Sequence, residues 1–80
     1  MKIYNVITTS VREGGAVEVS VRSTTEEHKA HIILEEERSK LEACFDEKTD
    51  EIFVDRDDMY GYYGINRPLQ FVVFSPTESE

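Results

Sequence analysis

The chain predicts an α+β fold: a two-layer sandwich in the order β-β-α-β-β, with one helix on a small antiparallel or mixed sheet. Three observations predict it. Two strand-like segments, residues 2–11 with both faces partly apolar and residues 16–22 alternating apolar and polar, flank the pair Gly14-Gly15, as in a hairpin. Residues 30–45 set Ala30, Ile33, Leu34, Leu41, Cys44 and Phe45 on one stripe of a 3.6-residue period, which is a helix signal. Short apolar runs at 52–54 and 69–75 have the length of strands rather than helices.

In order along the chain, Lys2 to Val11 reads as a strand with both faces apolar enough for a central position. Arg12-Glu13-Gly14-Gly15 is a turn, because paired glycines accept positive φ. Ala16 to Arg22 is a second strand, with Val17, Val19 and Val21 expected to face in and Glu18, Ser20 and Arg22 out. Thr24 to Glu27 fits a capping box, Thr24 as N-cap and Glu27 three residues on. The helix is expected from Thr25 to about Ala43, with Cys44 on the buried stripe and Phe45 folding back onto the sheet. Asp46 to Asp50 is a polar turn and Glu51 to Asp55 a short strand. Arg56 to Pro68 has a loop's composition, although part of it can extend the strands into a hairpin. Leu69 to Ser75 is the last strand, so that a single domain covers 1–75 and 76–80 is a disordered tail. One helix covers one sheet face. Tyr4, Val6, Phe53, Val72 and Phe74 are the candidates for the other, which a partner or a second copy is expected to hide.

Composition narrows the function. At 39% hydrophobic and 32% charged the chain is globular, and no apolar run is long enough for a bilayer. The chain reads directly into a strand pattern without a signal peptide, and one cysteine, Cys44, forms no internal disulfide; both lead to an expectation of a cytoplasmic protein. Of the net charge of −8, residues 26–58 hold the entire imbalance, thirteen acidic side chains against five basic. Such a field repels nucleic acid and anionic membranes and attracts basic protein surfaces.

Catalytic and metal signatures are weak. His28 and His31 neighbour each other on the helix beside Glu27 and Glu35, but zinc wants three or four good ligands, so both are expected to face solvent. Asp55-x-Asp57-Asp58 resembles the start of a calcium loop, yet Tyr60 and Asn66 stand where glycine and glutamate are needed. Glu37 interrupts the apolar stripe; a desolvated carboxylate there is a candidate general acid, and the plainer expectation is that it pairs with Lys or Arg at the sheet edge. No constellation supports an enzyme, a metal or a cofactor.

What remains is a surface for binding protein. Tyr60, Tyr62 and Tyr63 lie among glycines next to Asp55, Asp57 and Asp58, where tyrosines give contact area at low entropy cost or else tuck over the sheet edge. Ile32, ringed by acids that include Glu35 and Glu36, is either an ordinary exposed residue or an anchor. These nine residues form the expected site.

In size, charge and layout the chain resembles the small acidic orphan proteins of bacteriophages and mobile elements, anti-CRISPR inhibitors among them. The resemblance covers the whole chain and contains no motif. It implies a non-enzymatic inhibitor that blocks a basic site on a host nucleic-acid-binding complex, with no direct contact to nucleic acid or membrane. The alternative expectation is a structural homodimer whose acidity serves solubility.

Overall fold

The structure, a computed structural model, describes residues 1–65 and 68–78. Its elements are β1 (Lys2–Val11), β2 (Val17–Thr24), α1 (Glu27–Ala43), β3 (Asp50–Arg56), β4 (Met59–Gly64) and β5 (Leu69–Glu78). The class is α+β, with one helix and a five-stranded sheet in the order β2-β1-β5-β4-β3, antiparallel throughout. The fifth strand is β4, which forms within the stretch whose glycines and acids read as a loop. Asp57 and Asp58 make the tight turn between β3 and β4. Strand β5 continues through Pro76, Thr77 and Glu78, pairing Tyr4 with Pro76 and Lys2 with Glu78, three residues into the segment expected to be a tail; residues 79 and 80 lie outside the described residues.

The hairpin β1–β2 turns as expected. Gly14 and Gly15 adopt φ of 93° and 89°, and the Arg12 N–H donates to the Ala16 carbonyl at 2.7 Å. The helix starts later than the capping box implies. Glu26 is the N-cap, and Thr24 ends β2, its hydroxyl accepting from the Glu26 N–H at 3.2 Å.

The helix lies over β1, β2 and β5. Ala30, Leu34, Glu37 and Leu41 are its buried residues. Leu34 and Leu41 cluster with Val6, Tyr60, Tyr62 and Val72 from the sheet, with Ile33, Phe45 and Phe74 packed at the margin. Phe45 does fold back, meeting the Tyr62 ring edge-on at 5.2 Å. Cys44 is exposed at the C-cap, contrary to the stripe reading, because the helix ends one residue before it.

Strand alternation then assigns each sheet face. Tyr4 and Thr8 of β1 bond to helix glutamates, and Val6 is buried beneath the helix. Their partners in register, Thr24, Arg22 and Ser20 on β2 and Pro76, Phe74 and Val72 on β5, share that face. Tyr4, Val6, Val72 and Phe74 therefore lie under the helix, not on the uncovered face, whereas Phe53 does lie on the uncovered face. The valines Val17, Val19 and Val21 point away from the helix, the reverse of expectation, and stay 59%, 59% and 55% exposed.

On the uncovered face Gly61 is needed for close approach. A Cβ there would sit 2.7 Å from the Phe53 ring and 2.7 Å from the Phe71 Cβ. Phe53 is half exposed and can swing aside, but the Phe71 Cβ is fixed by its backbone. Gly61→Ala is expected to cost about 1–3 kcal/mol of folding stability through overpacking, read as a lower midpoint in chemical denaturation. An unchanged midpoint would mean that β4 and β5 are not held this closely.

Candidate protein-binding site

Two arginines hold the helix across the sheet, one on each flank. Arg22, on β2, donates to Glu36 at 3.0 Å and to Glu37 at 3.2 Å. Arg38, on the helix, bonds Glu42 at 2.8 Å, pairs with Asp55 on β3, and reaches the Arg56 carbonyl at 3.2 Å. Its guanidinium also lies 4.8 Å above the Tyr60 ring, a cation–π contact. Each guanidinium is raised above its ordinary range by the carboxylates it bonds, Glu36 foremost for Arg22 and Glu42 for Arg38. Glu37 thus pairs with Arg at the sheet edge. It further accepts from Thr8 at 3.4 Å and lies 3.5 Å from Lys40. These partners account for its carboxylate.

The nine expected site residues separate into two groups. Ile32 is 53% exposed on the outer helix face. Glu35, Glu36, Asp55, Asp57 and Asp58 are exposed. Glu35 and Asp57, together with His31, Leu34 and Arg38, line a shallow cavity of about 250 Å³ between the helix and the β3–β4 turn. Glu36 and Asp55 are engaged by Arg22 and Arg38, and Asp58 by Arg56 at 3.5 Å.

The tyrosines correct the sequence reading. Tyr60 and Tyr62 are buried, at 4% and 0% exposure, and pack edge-on with ring centroids 6.1 Å apart. The Tyr62 hydroxyl donates to the Leu41 carbonyl at 2.8 Å. They are core residues because β4 is a strand whose alternate positions turn them under the helix. Tyr63, one residue on, points to the opposite face, where its hydroxyl donates to Glu51 at 2.8 Å. The three tyrosines do not form one surface.

His31 stacks on Phe74 at 4.9 Å and 19°, with Nε2 3.7 Å from Glu27. Among the described residues no group of three His, Cys, Asp or Glu side chains is placed to hold a metal, and Asn66, the twelfth position of the calcium-loop comparison, lies outside them. Among the described residues no helix is long and apolar enough to cross a membrane. The residues that sequence reasoning missed are Arg22 and Arg38, which organise the acidic side. The signal available for Arg22 was Glu37, a carboxylate on an apolar stripe that requires a cation opposite. Compared with known protein families, curated proteins and solved structures, the chain matches none.

Two predictions test this geometry. Arg22 is half exposed and keeps Glu36 as a partner, so replacing Glu37 strands no buried charge. Glu37→Leu, which completes the apolar stripe, is expected to hold or raise Tm, while Glu37→Ala, which leaves a void, is expected to lower it by ~5 °C or more. Equal losses in both variants would show that the carboxylate itself is required. The second prediction concerns alkali. Burial, with the nearby Glu42 charge, pushes the Tyr60 phenol above its ordinary range. The hydrogen bond to Glu51 does the same for Tyr63. The folded state therefore favours the neutral phenols. Their contribution is complete below the ordinary phenol range near pH ~10 and is lost as pH rises through the raised folded values. Thermal melting across that window should show stability falling, and Tyr60→Phe should reduce the fall; a slope unaltered in Tyr60→Phe contradicts the assignment.

Proposed function

We propose that the chain is a non-enzymatic binding protein that presents its helix side to a basic surface of another protein. The observation that carries this reading is the sharing of each flanking arginine between two carboxylates, Arg22 by Glu36 and Glu37 and Arg38 by Glu42 and Asp55. Lys40 beside Glu37 balances the Arg22 flank, so the net negative charge of the side comes from the two carboxylates on Arg38 together with Glu35 and Asp57. Glu35 and Asp57 line the shallow cavity beside Arg38, next to the exposed Ile32. A cavity of this size accepts one basic side chain of a partner. Its cation meets Glu35 and Asp57, and its apolar stem lies along Leu34 and the His31 ring. Ile32 supplies the apolar anchor, and the surrounding acids speed and orient the encounter.

A cytoplasmic partner with a basic groove, such as a nucleic-acid-handling complex, has the complementary chemistry. Occupying that groove inhibits without any reaction, as in the phage and mobile-element inhibitors that the chain resembles in size and charge.

The test is capture from bacterial lysate at low and at high salt, with the wild-type protein and a Glu35→Lys/Asp57→Lys/Asp58→Lys variant side by side. The expected result is one enriched nucleic-acid-binding protein that dissociates as salt rises and that the variant fails to retain, with affinity at least ~100-fold weaker, since close charge pairs at an interface couple by several kcal/mol. A partner held equally by the triple variant overturns the reading.

A further inference from the structure

The sheet face opposite the helix shows a different chemistry from the rest of the molecule. On β1, β2, β4 and β5 every residue that points to this face is uncharged, in a chain that is 32% charged. The charged side chains on it, Glu51 and Arg56, belong to the edge strand β3, where they bond Tyr63 and Met59 at 2.8 and 3.6 Å. Between the edges an apolar band crosses the sheet, interrupted by Thr9 and bordered at one end by the polar Asn5, Ser23, Ser75 and Thr77. Val19 stands on β2 at 59% exposure and Phe53 on β3 at 44%, with Ile7, Phe71 and Val73 half-buried across the middle. Five strands spaced about 4.8 Å apart, averaging some eight residues of ~3.3 Å each, give a face of roughly 24 by 27 Å. Within it the apolar band from Val17, Val19 and Val21 through Ile7, Val73 and Phe71 to Phe53 reaches from one edge of the sheet to the other, an exposed apolar patch of the kind that marks an interaction surface.

We propose that this face is the seat of a second copy of the chain, stacked sheet against sheet about a two-fold axis. Three observations choose this occupant. The first is charge. A chain of net charge −8 repels its own copy at the helix side, where the carboxylates crowd, while on the other face β1, β2, β4 and β5 allow approach without burying an ion and the charged Glu51 and Arg56 stand only at the β3 edge. Stacked sheets lie about 10 Å apart, with each helix roughly another 10 Å outside its own sheet. The two acidic sides then stand roughly 30 Å apart, several Debye lengths at physiological salt. The second is area. A face of about 650 Å² per copy, before side-chain corrugation is counted, buries on the order of 1,300 Å² in the pair, within the range of stable dimers. The third is self-complementarity. An isologous contact requires a patch to match itself, which apolar residues at both edges and along the centre satisfy and a patch of one charge does not. The pair carries its two helices outward, making it bivalent toward anything that binds the helix side.

The test is mass by light scattering on a gel-filtration column. Wild-type protein at ~50 µM is expected at twice the 9.3 kDa chain mass, and the dimer is expected to persist or tighten as salt rises, the opposite of the salt response of acidic docking. Val19→Lys and Phe53→Lys, both at positions exposed in the single chain, should each weaken association at least tenfold with circular dichroism unchanged. Ile32→Lys on the helix side should leave the mass unaltered. A wild-type monomer at this concentration overturns the proposal. So does a dimer that Phe53→Lys leaves intact, since β3 lies at the far edge of the sheet from β2 and such a dimer joins through the β2 edge. Isotope-filtered NOEs between labelled and unlabelled wild-type copies read the contact without substitution. Contacts among Ile7, Val19 and Val73 methyls support the stacked pair, and contacts confined to Ile32 refute it.

Discussion

The hydrogen bond from the Tyr62 hydroxyl to the Leu41 carbonyl fixes where the only helix of the described structure meets the sheet. It joins the buried centre of β4 to the last turn of the helix, where carbonyls have lost their helical partners. Tyr62 is fully buried, so the bond forms away from water, and its ring carries Tyr60 on one side and Phe45 on another. With this end held, the helix can still pivot across β1 and β5. The flanking arginines remove that freedom. Arg22 draws the β2 side of the helix down through Glu36 and Glu37, and Arg38 draws the other side toward β3 through Asp55. Exposed ion pairs contribute little energy singly. Here they act as orientation devices around a core that supplies the energy.

That placement separates the chemistry of the two sides. The helix and the β3–β4 turn hold seven of the chain's seventeen carboxylates, and the two come together where His31, Glu35 and Arg38 face Asp57. Strand alternation sends the remaining apolar residues of β1, β2 and β5 to the other side. Seven apolar residues are buried among those described, a thin core for a chain of this size. Much of the chain's hydrophobic content lies instead on the uncovered face, where it stabilises a single copy only through neighbouring side chains on the strands.

The class, the hairpin, the helix and the pairing of Glu37 were legible because each rests on local rules: period, glycine pair and an acid out of place. β4 was not legible, because Met59 to Gly64 contains two glycines and three tyrosines, and only the fold shows that Gly61 is small to admit Phe53 and Phe71. The tyrosines were misread for the same reason. Composition marks Tyr60, Tyr62 and Tyr63 as one cluster, while a strand sends the first two into the core and the third to the far side. Ile32, Glu35 and the turn aspartates were legible as exposed because they follow from helix phase and turn chemistry. The partition of acids between the two arginines was not, since it depends on pairings between strand and helix 14 to 17 residues apart.

The reversed orientation of β2 has a specific cause. Val17, Val19 and Val21 would face the helix if hydrophobicity alone decided, but the helix presents Glu37 and Glu36 on that flank, and a valine beneath Glu37 would leave a poorly hydrated carboxylate with the exposed Lys40 as its cation. Arg22 has to occupy the helix side, and alternation then sends all three valines outward together. The result is an edge strand of eight residues that pairs with β1 without a register shift. The other edge is blunted, β3 carrying a register shift between Ile52 and Val54 and charges at Glu51, Asp55 and Arg56. On its open face β2 has neither device. Long, flat, apolar edges are sites of uncontrolled association unless something covers them. In the proposed pair, the second copy would bring its own apolar face over these valines, and the outward turn imposed by Glu37 would become part of a defined contact.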